Sequence, residues 1–174
     1  TFGGALEIPG KVEFVHPLHN LAVISYDPKL IGATPMRSAQ LSASPLRVGQ
    51  NVTVIGMDGD GELKSRATQV VSVDPLELPL SRTMQFRESN IDLVQLVNPP
   101  TDYDGVMTDK AGSVIGLWSS FAWESGRELQ QENRGVPIEI VSDMLRRVQS
   151  KQRIFSLEAE LVPHLLGVFS SGAV

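Results

Sequence analysis

The sequence predicts an all-β protein, a barrel or sandwich followed by one C-terminal helix. Two patterns carry this reading: short runs in which apolar and polar residues alternate, and Gly, Pro, Asp and Asn breakers recurring at close intervals between them. A third is that only one stretch carries helix signals at both ends. In Lys11–Val15 the alternation sets Val12 and Phe14 on one face of a half-buried strand. His16-Pro17-Leu18-His19-Asn20 follows as a turn, since Pro17 fixes φ and removes a donor. Leu21–Tyr26 is the next strand, ended by Asp27-Pro28. Further strands are expected at Asn51–Met57, Ala67–Val73, Ile91–Val97, Ser113–Ser119 and Val136–Val141. Asp58-Gly59-Asp60-Gly61, Asp74-Pro75, Pro99-Pro100 and a polar loop from Glu124 to Gly135 separate them. The helix is expected to start at a Ser142 cap, with Asp143 in its first turn and Arg146 and Arg147 near its end, where each charge favours the helix dipole. Gln149-Ser150-Lys151-Gln152 reads as a linker, which puts a boundary near residue 150 and divides the chain into 1–150 and 151–174. The second piece is too short for a core of its own and reads as a fragment or appendage. Thr1-Phe2-Gly3-Gly4 reads as the end of a strand already under way.

Composition narrows the function. The chain has 174 residues, 15 basic and 20 acidic side chains and a net charge of −5, with 41% hydrophobic residues, which are ordinary values for a folded soluble chain. The acidic balance and the lack of any Lys/Arg run argue against a nucleic-acid partner. With no cysteine there is no disulfide, no thiolate nucleophile and no Cys-based zinc site, and the chain suits a reducing compartment. No apolar run approaches the ~18 residues that span a bilayer, and the N-terminus has no signal-peptide pattern. Only His16, His19 and His164 could carry histidine chemistry.

Four segments, in order, resemble the protease unit of the HtrA family of trypsin-like serine proteases. Lys11-Val12-Glu13-Phe14-Val15-His16-Pro17-Leu18-His19-Asn20-Leu21-Ala22-Val23 is similar to that family's strand, turn and D-[LI]-A-[VL] segment. Leu46-Arg47-Val48-Gly49-Gln50-Asn51-Val52-Thr53-Val54-Ile55-Gly56 matches its L-R-x-G-x-x-V-x-x-I-G strand. Gly112-Ser113-Val114-Ile115-Gly116-Leu117 is similar to the strand after its nucleophile loop, and Val136–Leu145 to its last strand and C-terminal helix. The likeness covers residues 1–150, and its phrasing looks most like the tandem members of fungal nuclei and plant plastids, whose second unit is usually degenerate. It implies a trypsin-like double β-barrel lacking its first strands here, with residues 151–174 opening a PDZ-like module. It also implies polypeptide partners, a homo-oligomer such as a trimer, no cofactor and no metal, and a nuclear, cytoplasmic or plastid location.

The same resemblance decides the expected chemistry. The family's triad Asp precedes L-A-[VL], and Asn20 stands there. Its G-N-S-G-G-P-L falls on Thr101-Asp102-Tyr103-Asp104-Gly105-Val106-Met107, so Tyr103 replaces the serine and Asp104 the next glycine, while Gly105 is kept. The base histidine would lie upstream of Thr1. An Asp-to-Asn change in such a triad costs ~10⁴ in kcat. Tyr103, a phenol with an ordinary pKa of about 10, is no substitute nucleophile and its ring would occupy space the scissile carbonyl needs. A carboxylate at Asp104 ~5 Å from a developing oxyanion costs about 3 kcal/mol at an effective dielectric of ~20. The catalytic set is therefore expected not to be intact. No serine lies between Asn90 and Ser113, and Ser113, Ser119, Ser120, Ser125, Ser170 and Ser171 lack the G-x-S-x-G turn that exposes a nucleophile.

The remaining candidates have blander readings. His16 and His19 are expected to be solvated turn histidines rather than metal ligands. Asp58–Glu62 reads as a hairpin turn rather than a calcium loop, because Leu63 and Gln69 stand where glycine and a bidentate Glu are needed. Asp102, Asp104 and Asp109 read as an exposed acidic turn rather than an acid/base pair. Asn51-Val52-Thr53 is a glycosylation sequon only if secreted. Trp118 and Trp123 read as core or rim packing, with an aromatic peptide groove as the alternative. The expectation is an inactive protease-like unit with a structural, regulatory or peptide-binding role. The rivals are part of an active protease whose histidine lies elsewhere, and a PDZ-type peptide-binding module that residues 151–174 complete by strand addition.

Overall fold

A computed structural model describes residues 7–16, 19, 21–33, 35–76, 91–125, 128–153 and 155. Eight strands and one α-helix follow in chain order among them: β1 (Gly10–Val15), β2 (Ala22–Tyr26), β3 (Asn51–Asp58), β4 (Leu63–Leu76), β5 (Ile91–Leu96), β6 (Tyr103–Thr108), β7 (Val114–Ser125), β8 (Glu128–Pro137) and α1 (Ile138–Gln149). β1 and β2 pair as a two-stranded antiparallel sheet. The other six strands close into a barrel in the order β3-β4-β5-β8-β7-β6, all neighbours antiparallel. Of the two arrangements the alternation allows, the fold is the barrel.

Alternation within the strands fills this barrel. Val52 and Val54 point inward from β3 and meet Val70, Val94, Leu96, Tyr103, Met107, Ile115 and Trp118 in one buried cluster. Burial of this kind stabilises by about 25 cal/mol per Å² of apolar surface removed from water. Glycines let the middle close. A Cβ on Gly116 would sit 2.7 Å from the Val136 carbonyl oxygen, and one on Gly135 2.8 Å from Met107 Sδ. Met107 thus uses the space that two missing side chains leave.

Four expectations fail for identifiable reasons. Val12 and Phe14 do not share a face evenly: the register shifts between them, leaving Val12 exposed and Phe14 half-buried. The polar stretch 124–135 is not a loop, because β7 and β8 form a ladder from Gly116–Pro137 out to Ser125–Glu128. Its sequence lacks alternation because backbone pairing, not a buried face, holds its outer part. Of Val136–Val141 only Val136 and Pro137 are strand, the end of β8, and Ser142 is no cap. α1 begins at Ile138 after Pro137, whose φ of −57° suits a helix start, and no side chain caps it. Ile138, Val141 and Met144 recur at helical spacing on its buried face, so the β-branched run is read as helix once it packs on Val114 and Leu21. Finally, positions 101–107 do not form an open loop throughout, since β6 starts at Tyr103.

The expected linker follows where α1 stops. Ser150 Oγ donates to the Arg146 carbonyl at 2.8 Å, and Lys151 turns to a φ of 55°. Of the expected PDZ-like start, residues 151–174, positions 154 and 156–174 lie outside the described residues, as does the Thr1–Gly4 strand end.

Candidate functional site

The segment between β5 and β6 is the place to look for chemistry, because it leads into Tyr103. Close backbone approach sets where it enters. Gly56 of β3 faces Gly105 of β6, and a Cβ on Gly105 would lie 2.7 Å from Gly56 Cα. With β3 and β6 pressed together, Asp58 pairs with Tyr103 and the Tyr103 ring turns into the core, 7% exposed. Its hydroxyl donates to the Val54 carbonyl at 3.4 Å. Burial raises its phenol above the ordinary value; Arg66 opposes this and Asp102 adds to it. The ring is therefore a core side chain, not one that stands over a cleft as the sequence suggests.

Side chains from two strands hold the connection itself. Arg66 on β4 donates to the Asn98 and Pro99 carbonyls at 3.5 and 3.4 Å, and Thr68 donates to the Val97 carbonyl. Trp118, 1% exposed on β7, donates from Nε1 to the Pro100 carbonyl at 3.1 Å. Asn98 takes a φ of 45°, which Asn tolerates better than most residues. Backbone carbonyls in a chain turn are thus paired one after another. An open cleft of about 700 Å³ runs alongside, lined among others by Thr53, Arg66, Gln69, Asn98 and Lys110.

Asp102 and Asp104 are exposed on either side of Tyr103. The neighbouring hairpin carries a compact charge cluster in which Lys64 Nζ meets Asp58 Oδ2 at 3.1 Å and Glu62 Oε2 at 2.8 Å. Asp58 Oδ1 also accepts from the Asp60 and Glu62 amides at 3.0 and 2.9 Å, as a hairpin turn requires. Asp109 does the same for the β6–β7 turn, accepting from the Ala111 and Ser113 amides at 2.8 and 2.9 Å. Neither carboxylate is left to do acid/base work with Asp102 or Asp104. Ser113 lies in this turn rather than inside a strand, and Ser119 and Ser120 lie within β7 rather than at its end.

The histidines differ from expectation. His16 is buried at 8% exposure and stacks edge-on with His19, ring centres 4.6 Å apart. The His19 amide donates to His16 Nδ1 at 3.1 Å. Burial, and then His16, push His19 down to about 4; burial also lowers His16, against the pull of Asp143 on α1. Leu21 bonds both through the backbone, accepting from the His16 amide at 2.8 Å and donating to the His19 carbonyl at 2.6 Å, and its side chain packs on clusters that include β7 and α1 residues. Among the described residues no group of three metal-ligating side chains gathers. Asn20 lies outside the described residues, as does the side chain of Trp123. Trp118 is core, so it forms no peptide groove.

Arg66, Thr68 and the Glu132–Arg134 pair, Oε1 to Nη2 at 2.5 Å, were not singled out by the sequence. The first two act on residues about thirty positions away, and local patterns carry no sign of that.

No family model matches the chain. Among curated proteins it is similar to the pro-apoptotic serine protease NMA111 of Saccharomyces cerevisiae, 31% identical over 126 residues and covering 71% of this chain. A PDZ domain-containing protein of Schizosaccharomyces pombe is 31% identical over 155 residues, 86% of this chain. Protease Do-like 7 of Arabidopsis thaliana is 29% identical over 154 residues, 82% of this chain. Among solved structures, an HtrA-type protease AlgW variant with a decapeptide superposes at a TM-score of 0.57, with 17% identity over 83% of this chain and 41% of that one. The chain belongs to the HtrA-type family of trypsin-like serine proteases. Its fold is the trypsin-like one, with a closed barrel, a further strand pair and the C-terminal helix. The active form of the M. tuberculosis Rv3671c protease shares that fold at a TM-score of 0.57, 16% identity, 85% of this chain and 62% of that one. The HtrA-type chain spans only a small part of its curated relatives, 12% of NMA111, 16% of the fission-yeast protein and 14% of Do-like 7. No helix among its described residues is long and apolar enough to cross a membrane.

Proposed function

We propose that this chain is a catalytically inactive protease-like unit of a longer HtrA-type serine endopeptidase, kept for a structural, regulatory or peptide-binding role. Tyr103 carries the reading. It stands at the family's serine position by motif, and its ring is core packing that donates to a main-chain carbonyl. Acyl transfer needs a hydroxyl beside an imidazole, with two donors aimed at the developing oxyanion. The segment that would supply this is instead tied down by Arg66, Thr68 and Trp118. Asp102 and Asp104, at the flanking positions, would add negative charge where an oxyanion forms. Asn20 stands for the triad carboxylate.

The test is covalent labelling of the purified chain with a fluorophosphonate probe, with an active serine protease as the positive control. No labelling is expected, and modification of any residue of 1–174 would overturn the reading in favour of an active unit completed by histidine from elsewhere.

Division into a protease-like unit (1–150) and the start of a PDZ-like module (151–174) is supported by the end of α1 at Gln149 and by the fission-yeast relative's name. If that module takes part in peptide capture, removing 151–174 lowers binding on a peptide array; unchanged binding refutes it. On the same reading the partners are polypeptides, copies of the chain assemble together, and the compartment is nuclear or cytoplasmic, or a plastid.

A further inference from the structure

We propose that the cleft beside the β5–β6 connection binds a side-chain carboxylate of a polypeptide, held between the Arg66 guanidinium and the Lys110 ammonium. This rests on the peptide-binding role in the reading above and gives that role a ligand class, an acidic peptide.

The barrel order sets the two cations on either side of β3. Arg66 lies on β4 opposite Val54, and Lys110 follows β6, just past the Thr108 that pairs with Thr53. Both are exposed, and both line the cleft of about 700 Å³ together with Asn51 at the start of β3. Ligand clefts typically measure about 300–1,000 Å³.

Each cation is presented by a fixed backbone. Arg66 Nη1 rests on the Asn98 and Pro99 carbonyls at 3.5 and 3.4 Å. Its Nη2 and Nε have no hydrogen-bond partner among the described residues, which leaves the guanidinium edge that grips a carboxylate with two parallel bonds. Lys110 is carried by the β6–β7 turn, which Gly112 closes at a φ of 81°. Among the described residues no carboxylate lies within ion-pair distance of Arg66 or Lys110, whereas Lys64, Arg134, Arg146 and Arg147 are all paired. Asp109 shares the cleft, but its Oδ1 is taken by the Ala111 and Ser113 amides. In a chain of net charge −5 this is a local attraction for a negative group.

The wall of the cleft selects polypeptide over a free anion. Val97, 43% exposed, and Ala67 line it beside the cations. A phosphate ion has no apolar part to cover them, whereas a peptide can set an aliphatic side chain next to a Glu or Asp.

The test is fluorescence anisotropy of the full chain with a dye-labelled octapeptide, blocked at both ends, whose central glutamates are flanked by valines. Its twin carries glutamines instead and should bind about tenfold or more weakly. Lys110→Glu, in an exposed turn, should weaken the glutamate peptide about tenfold, Asn51→Asp about two- to fivefold, and added salt should weaken it too. Thermal melts of both variants should match the parent. Equal affinity for the twin, binding that follows a free C-terminus rather than the glutamates, binding unchanged in Lys110→Glu and Asn51→Asp, or no binding would each overturn the proposal. Fluorophosphonate labelling keeps the two readings apart. Lost glutamate selectivity without labelling refutes the acidic-peptide site alone, and labelling with selectivity intact refutes the inactive unit alone.

Discussion

On the proposed reading, replacing Tyr103 with serine puts the family's nucleophile at its motif position, and it takes a ring out of the barrel core at the same time. The structure says the second effect dominates. A buried aromatic side chain removes about 150–250 Å² from water, and deleting one costs about 3–5 kcal/mol. The hydroxyl's bond to Val54, long at 3.4 Å, is worth roughly 0.5 kcal/mol. Tyr103→Ser should thus lose about 4 kcal/mol, and Tyr103→Phe only about 0.5 kcal/mol. At about 2–4 °C per kcal/mol for a chain of this size, the serine variant melts some 8–16 °C below the parent. Denaturant unfolding, followed by circular dichroism, measures both. Fluorophosphonate labelling of the folded serine variant should stay negative, because Arg66, Thr68 and Trp118 hold the segment ahead of it. A serine variant as stable as the parent would refute the core role of the ring. Labelling at the new serine would refute the idea that the segment is built against catalysis.

Gly105→Ala drives a Cβ to 2.7 Å from Gly56 Cα, so β3 and β6 must separate; a loss of about 3 kcal/mol or more is expected by thermal melting, against under 0.5 kcal/mol for the exposed Asp104→Ala. The His16–His19 pair gives a pH signature. His19 titrates near 4 folded and near 6.5 unfolded, so the unfolded chain binds the extra proton and stability falls as pH drops below about 6.5, levelling off below about 4. Discounted for solvent screening of this half-buried ring, the loss is about 1–2 kcal/mol. Chemical denaturation at stepped pH should show this slope, and His19→Gln should flatten it.

Strands whose one face meets the core announce themselves. Val52 and Val54 alternate with Thr53 and Ile55, and β3 appears within one residue of where the pattern puts it. Where neither face is buried the signal vanishes: Glu128–Arg134 is a strand because β7 pairs with it, and its polar sequence says only that it is wet. Ile138–Val141 shows the reverse problem, a run whose strand and helix periods coincide over four residues, resolved by what Ile138 and Val141 pack against. The histidines of the β1–β2 turn looked solvated because a local reading cannot supply the neighbours that bury them.

The sequence by itself determined the β class and the family motifs, since these are carried by identity and short spacing. Tertiary structure alone decided that the strands close as a barrel and that the Tyr103 ring turns inward. It also decided that Arg66 and Trp118 reach the segment before it. Each of these depends on chain segments far apart in sequence coming within a few ångströms, and only the closed fold sets those distances.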